Sequence, residues 1–199
     1  MIVAVVLAAG ESSRMGQPKA LLPIEGIRFI EKIVNSLEST RVGKIVVVLG
    51  HNAEEMRLKI ADLPVEPVIN RDYKQGQLSS LLAAIRSVVS SGYANDVDGV
   101  LVHLVDHPYI SPDLVNLMIE RFYRSKKLIV VPRYRERRGH PVIFSKALFA
   151  ELLATPLDQG AKAVVRAHSS DTLEIVTDDE GVTIDIDTPE EYRRHVEGD

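Results

Sequence analysis

Residues 2–19 read Ile2-Val3-Ala4-Val5-Val6-Leu7-Ala8-Ala9-Gly10-Glu11-Ser12-Ser13-Arg14-Met15-Gly16-Gln17-Pro18-Lys19. Ile2 to Leu7 is an unbroken apolar, β-branched run, the pattern of a strand covered on both faces. The text then changes character: small residues, a glycine, two serines and the cations Arg14 and Lys19. Small residues let a ligand approach the backbone closely, and successive N–H groups in such a turn can form a nest for an anion. Arg14 brings a forked charge and Lys19 a point charge, while Pro18 stiffens the approach to Lys19. These ingredients suit a polyphosphate; a solvated glycine turn with two surface cations is the plainer alternative. No Gly-Lys-Ser/Thr follows and no Gly-x-Gly-x-x-Gly is present, which excludes a P-loop and a dinucleotide fingerprint.

Similar runs recur outward from this stretch. Lys44–Leu49, Glu66–Ile69, Val100–Val105 and Leu128–Val131 read as buried strands, and Pro141–Phe144, Thr172–Val176 and Val182–Ile186 as further ones. Helical stripes lie between them. Leu78, Leu81, Leu82, Ile85, Val88 and Val89 make one, Phe29, Ile30, Ile33, Val34 and Leu37 a second, and Leu114, Leu117, Met118 and Phe122 a third. Ser111 and Pro112 read as the N-cap and first residue of the third. The alternation predicts an α/β fold with a mostly parallel (mixed) sheet and helices on both faces. With no linker or internal repeat, residues 1–199 are expected to form one domain. Such sheets bind ligands at the carboxyl ends of their strands.

The chain has 199 residues, a formal charge of −4, 45% hydrophobic and 26% charged residues, and no cysteine. The balance is that of a globular protein. Lack of cysteine removes disulfide scaffolds, zinc–cysteine sites, iron–sulfur clusters and cysteine nucleophiles. No basic block suggests nucleic-acid binding. The apolar start is too short to span a membrane and has no basic leader, so neither a signal peptide nor an anchor is expected, and the protein is expected in the cytoplasm.

Asp106 follows the apolar run Val100–Val105, where a carboxylate would face a metal–phosphate complex; Mg²⁺ favours one or two carboxylates plus phosphate oxygens and water. A turn cap is the alternative. Near the other end lies Asp185-Ile186-Asp187-Thr188-Pro189-Glu190-Glu191. On a strand, residues 185 and 187 would share one face. Thr188, Pro189 and Glu191 are accounted for as N-cap, first helical residue and capping-box acid. Asp187 is left over, and is expected to be the second Mg²⁺ ligand. Asp185 is either support for that site or plain surface. Ser79 and Ser80 open a helix whose N-terminal amides suit an anion or a ribose, although capping alone would explain one of them. Arg133, Arg135, Arg137 and Arg138 precede Gly139-His140-Pro141; they could hold an acceptor phosphate or form a solvated loop. His140 has no Cys or His neighbours at zinc spacing. Asp158, in Asp158-Gln159-Gly160-Ala161-Lys162, serves either the site or only the following helix as a cap.

The string Leu-Ala-Ala-Gly-x-Ser-Ser-Arg-Met-Gly-x-x-Lys at residues 7–19 resembles the signature loop of the MobA-like nucleotidyltransferases, and within them the molybdenum cofactor cytidylyltransferases. The resemblance extends to Asp106 before Pro108, to Asp185-x-Asp187-Thr188-Pro189, and more weakly to residues 76–81, 139–141 and 158–162. It covers nearly the whole chain and implies a Rossmann-like nucleotidyltransferase fold. It further implies that Leu7, Ala8, Ala9, Gly10, Ser12 and Ser13 wrap a nucleoside triphosphate, with Ser79 and Ser80 as further contacts. Arg14 and Lys19 would hold its phosphates, and Asp106 and Asp187 the catalytic Mg²⁺. Arg138, His140 and Asp158 fall on the acceptor side. GTP-using members tend to carry Gly where Ala9 stands; its Cβ narrows the base slot and favours CTP. The sequence departs from the pattern at His107 (usually Gln), Leu78 (Ser), Leu157 (Gly) and Lys162 (Arg).

The activity this implies is transfer of CMP from CTP to a phosphorylated acceptor, molybdopterin or its molybdenum-loaded form, with loss of pyrophosphate. A molybdoenzyme or cofactor-inserting protein is the implied partner, and no nucleic acid or membrane is involved. Two alternatives stay open from the residues: a sugar- or alcohol-phosphate acceptor, and a non-catalytic nucleotide-binding protein that delivers cofactor.

Overall fold

Strand β1 (Ile2–Ala8) is the axis of the computed structural model, which describes residues 1–198. Ile2, Ala4 and Val6 enter one apolar core and Val3, Val5 and Leu7 another, so the strand is buried on both sides, as its unbroken apolar text requires. The other strands are β2 (Pro23–Ile24), β3 (Ile27–Arg28), β4 (Lys44–Leu49), β5 (Glu66–Ile69), β6 (Gly99–Leu104), β7 (Ile129–Tyr134), β8 (Arg137–Arg138), β9 (Val142–Ser145) and β10 (Thr172–Thr177). The main sheet runs β10-β7-β9-β6-β1-β4-β5, with β8 paired to β7; β2 and β3 form a small hairpin. Pairing is parallel from β6 through β1 and β4 to β5 and between β7 and β10, whereas β9 is antiparallel to both its neighbours. The sheet is thus mixed, with its antiparallel part beside the centre.

Helices α1 (Phe29–Glu38), α2 (Ala53–Lys59) and α4 (Pro112–Ser125) cover the first core. Helices α3 (Gln77–Val89), α5 (Phe149–Ala154) and α6 (Ala161–Ala167) cover the second, and α7 (Pro189–Tyr192) is a short C-terminal turn. Ser111 caps α4 by accepting the Leu114 N–H at 3.3 Å, with Pro112 at the first position. Thr188 and Glu191 form the expected capping box. Val89 and Leu117 stand at the margins of their stripes and are exposed. Among the described residues no helix is long and apolar enough to cross a membrane.

One expected strand is absent. Glu180–Thr183 forms a 3₁₀ turn, and residues 184–188 continue without pairing in a sheet. Val182 and Ile186 are buried, but beneath a strap that crosses the strand ends rather than in a pleat. The strap's backbone bonds go elsewhere: the Val182 carbonyl accepts the His140 N–H at 2.9 Å, and the Ile186 N–H donates to the Asp106 carbonyl at 2.8 Å. Asp185 and Asp187 therefore do not share a strand face, and Asp185 is exposed.

Candidate active site

The loop after β1 is folded by its own backbone. The N–H groups of Met15 and Gly16 donate to the Ser12 carbonyl at 3.0 and 3.1 Å, and the Ser12 hydroxyl accepts the Lys19 N–H at 3.1 Å. The loop borders a cavity of about 300 Å³. Leu7, Ala8, Ala9, Gly10, Ser12 and Lys19 line it from the loop side, His51, Tyr73, Gln77 and Ser80 from across, and Asp106 closes one end. A Cβ added at Gly10 would meet no protein atom within 4 Å, so the space over this glycine is open to a ligand. Ser13 and Arg14 lie outside this cavity, in an adjoining cleft with Ser12, Lys19 and Asp187.

Two carboxylates far apart in sequence meet here. Asp106 projects just beyond the central strand β6. Asp187 arrives on the strap, fixed by several contacts. Besides the Ile186–Asp106 backbone bond, Ile186 is buried with Met15, Leu22, Ile24 and Phe29, which ties the strap to the loop. The Glu191 carboxylate accepts the N–H groups of Asp187 and Thr188 at 2.8 and 2.9 Å. The Lys19 ammonium bridges the pair, hydrogen-bonding Asp187 and standing 3.4 Å from Asp106 Oδ2, and Arg14 also pairs with Asp187. Their electrostatics differ. Burial raises the Asp106 pKa, with the Asp187 charge adding to it and Lys19 opposing. Burial acts the same way on Asp187, but the Lys19 hydrogen bond and charge, with Arg14, outweigh it and hold that carboxyl below its ordinary value.

The donor set fits a hard divalent cation. Asp106 Oδ1 is buried without a hydrogen-bond partner, and a buried oxygen acceptor left unpaired is costly. Two neighbouring carboxylates are donors of the kind Mg²⁺ or Mn²⁺ takes when further oxygens complete the shell. Among the described residues no group of three or more acidic or histidine side chains could hold an ion unaided.

Ser79 and Ser80 are both buried, and neither caps α3, whose N-cap is Gly76. Asn70 Nδ2 donates to both hydroxyls, at 2.9 and 3.0 Å. The two serines then diverge: Ser80 lines the loop cavity, whereas Ser79 borders a separate depression with Asn70 and Asp72. The sequence reading missed His51, Tyr73, Gln77 and Asn70. A signal existed for two of them, since His51 and Asn70 stand just after β4 and β5, where a parallel sheet presents its ligands.

A second cavity, of about 350 Å³, lies on the other side of a wall formed by Leu7, Gln77 and Leu104. Its floor is apolar, built from Leu78, Leu81, Val102, Val131, Val142 and Phe144, and Arg138, His140, Lys162 and Arg166 contribute its polar groups. Glu174 pairs with Arg138 at 2.7 Å and Arg133 at 2.9 Å, and Arg135 stacks on Tyr134, so much of the arginine run is matched locally. Asp158 is exposed and lines neither cavity, and the residue capping α6 is Gly160. Leading from His140 in the wall of this cavity, His107 and the fully buried His103 are packed in series, with ring centroids 5.1 and 6.3 Å apart. Burial holds all three neutral, with pKa values lowered to about 3, 4 and 4.

Comparison with known proteins agrees with this geometry. The model of the MobA-like NTP transferase domain matches residues 4–172. The nicotine blue oxidoreductase of Paenarthrobacter nicotinovorans is 30% identical, covering 97% of this chain and 95% of that one. The molybdenum cofactor cytidylyltransferase of Escherichia coli is 27% identical, covering 94% and 92%. Among solved structures, Rv0371C of Mycobacterium tuberculosis in complex with manganese superposes with a TM-score of 0.81 at 28% identity, covering 100% of this chain and 99% of that one. Loop, sheet and family match coincide, and the chain is a nucleotidyltransferase of the MobA-like NTP transferase family.

Proposed function

We propose that the protein transfers CMP from CTP to the phosphate of an acceptor, molybdopterin or its molybdenum-loaded form, releasing pyrophosphate. The observation that carries this reading is the convergence of Asp106 and Asp187 on Lys19, beside the loop cavity and next to a second cavity of different character. The loop cavity is the nucleotide side, where the Ala9 Cβ narrows the base slot in favour of a pyrimidine. The apolar cavity is the acceptor side, with Arg138 and His140 on its wall. A flat pterin ring can lay its face on that apolar floor and turn its polar edge to Arg138, His140, Lys162 and Arg166, whereas a sugar carries hydroxyls all round and each one buried unpaired costs free energy, which favours the molybdopterin-type acceptor over a sugar phosphate. The names of the relatives include both an oxidoreductase and a cytidylyltransferase, so the acceptor is read from this cavity.

In the reaction an acceptor phosphate oxygen attacks the α-phosphorus, and the bond from that phosphorus to the bridging oxygen of the β-phosphate breaks. The obstacle is repulsion between anions, about 4 kcal/mol for one charge pair at ~4 Å and an effective dielectric of about 20. A divalent ion, Mg²⁺ or Mn²⁺, with Asp106 and Asp187 as its protein ligands, would supply charge neutralisation on the phosphates. Arg14 and Lys19 exchange their carboxylate partners for phosphate oxygens and stabilise the departing pyrophosphate. The acceptor is already ionised, so no protein nucleophile is required.

Pyrophosphate release from CTP, GTP and UTP against molybdopterin and a panel of sugar phosphates tests the reading. The expected result is turnover with CTP and molybdopterin. Turnover with a sugar phosphate alone would replace the acceptor, and nucleotide binding without pyrophosphate from any pair would replace the enzyme by a carrier.

A further inference from the structure

Asp106 needs no special device to reach the site, because it stands at the end of a central strand. Asp187 does, because the strap that brings it belongs to no sheet. The contact that lets the strap lie down is at Gly139. Its N–H donates to the Pro132 carbonyl of β7 at 2.9 Å, so the glycine is pinned from below. From above, the strap sits directly on it: an added Cβ would overlap the Val182 carbonyl oxygen and fall 2.6 Å from the Val182 carbonyl carbon. The neighbouring His140 N–H donates to that same carbonyl at 2.9 Å. A second glycine completes the fit. At Gly181 a Cβ would stand 2.9 Å from Tyr109 Cβ, on the segment that follows Asp106.

We propose that Gly139 is a positioning residue for the carboxylate pair: by admitting the Val182 carbonyl against the β7–β9 connection, it sets the height of the strap and so the placement of Asp187 against Asp106. The chain of contacts is continuous. Gly139 and His140 hold Val182, the strap runs four residues to Ile186, and the Ile186 N–H closes on the Asp106 carbonyl. A methyl group at 139 would push against the Val182 carbonyl and, at 3.0 Å, its Cβ, none of which is the far end of a flexible side chain, so the strap must lift, and the bonds at His140 and Ile186 lengthen together. The nucleotide cavity is not lined by Gly139, Gly181 or Val182, so metal-free nucleotide should bind no more weakly, and Lys19 and Arg14 are freer for its phosphates once Asp187 withdraws. This inference rests on the reading of Asp106 and Asp187 as ligands of one divalent ion.

The test compares wild type, Gly139→Ala, Gly181→Ala and Asp187→Asn by Mn²⁺ titration in the presence of CTP, following the free-ion EPR signal. CTP affinity in EDTA and the unfolding midpoint are measured in parallel. Groups that orient metal ligands typically change affinity by about 10- to 100-fold when altered. Gly139→Ala is expected to lose Mn²⁺ affinity by about 10-fold, and Gly181→Ala, whose closest contacts are less severe, by less. CTP affinity in EDTA should not fall in either. A merely structural role would lower the unfolding midpoint and leave Mn²⁺ affinity, measured well below it, at the wild-type value; that result overturns the proposal. Should Gly139→Ala not fold, Gly181→Ala alone decides, and wild-type Mn²⁺ affinity there overturns it. If Asp187→Asn binds Mn²⁺ like wild type, the reading of the site fails instead.

Discussion

The two flanks of the sheet are built differently. On the β1–β4–β5 side every pairing is parallel, and the cavity at the strand ends is the more polar of the two, with Lys19, Ser12, Ser80, Tyr73 and His51 in its wall. On the β6–β9–β7 side an antiparallel strand intervenes, and the cavity has an apolar floor with cations beside it. Asp106 stands at the seam, and the strap brings Asp187 to it. On the proposed reading this is a division of labour: the parallel flank would offer amides and small residues to a polyphosphate, the mixed flank an apolar floor to the flat body of the acceptor, and the two carboxylates would lie where the ligands meet.

Changes at the seam should have the largest effect. Asp106→Asn and Asp187→Asn are each expected to lower turnover by at least about 100-fold, the scale of losing one charge contact in a transition state. Unchanged pyrophosphate release in both would remove the seam from the chemistry. Lys19→Ala comes next, and its two consequences have opposite sign. CTP affinity should fall by roughly 10- to 100-fold, as for a lost charged hydrogen bond. Mn²⁺ binding without nucleotide should rise, because the ammonium that bridges the carboxylates is gone. Isothermal titration of each ligand reads both, and a fall in both affinities would show that Lys19 supports the carboxylates rather than competing for them.

Asn70→Ala probes the parallel flank alone. It strips the donor shared by two buried serines, and about 1–3 kcal/mol of stability should be lost in a urea titration; His140→Ala, on the other flank, should instead raise the acceptor KM and leave that for CTP alone. An acceptor effect from Asn70 or a CTP effect from His140 would break the division between the flanks. The smallest effect concerns Glu31, which Arg28 holds down to about 2, chiefly through a side-chain hydrogen bond and then through its backbone N–H. A carboxyl depressed in the folded state adds stability above its ordinary value near 4.5, and the contribution is lost as pH falls from there toward about 2. Glu31→Gln should therefore flatten the acid limb of the stability profile slightly, the pair being partly exposed. An identical acid limb in both proteins would mean that the pair contributes nothing.

The parallel flank was the more legible in the sequence, and the reason is physical. Strands covered on both faces must be apolar throughout, so Ile2–Leu7 and Lys44–Leu49 announce themselves, whereas Glu66–Ile69, expected to be buried, is the half-exposed edge strand of the sheet. The strap was not legible as what it is. Val182, Ile184 and Ile186 alternate like a strand, yet Val182 enters the core over the sheet while Ile186, with the partly buried Ile184, joins a separate cluster with Met15 and Phe29, because the segment crosses strand ends instead of pairing with one. Periodicity reports that a side chain is buried, not what its backbone bonds to. Ser79 shows the same limit: its hydroxyl is consumed by Asn70 and Gly76, a partnership set by the β5–α3 connection and invisible in the serine pair itself. Asp187 is the residue of its segment that the helix cap leaves unexplained, and the structure gives it Lys19 and Arg14 as partners.

The central claim is that one divalent ion is shared by Asp106 and Asp187. Crystals grown with CTP and Mn²⁺, with diffraction collected for the anomalous signal of manganese, test it most directly. The account predicts an anomalous peak touching both carboxylates and the triphosphate, with the Lys19 ammonium moved onto a phosphate oxygen. A peak bound to the nucleotide alone, with Lys19 still bridging the two aspartates, would contradict it.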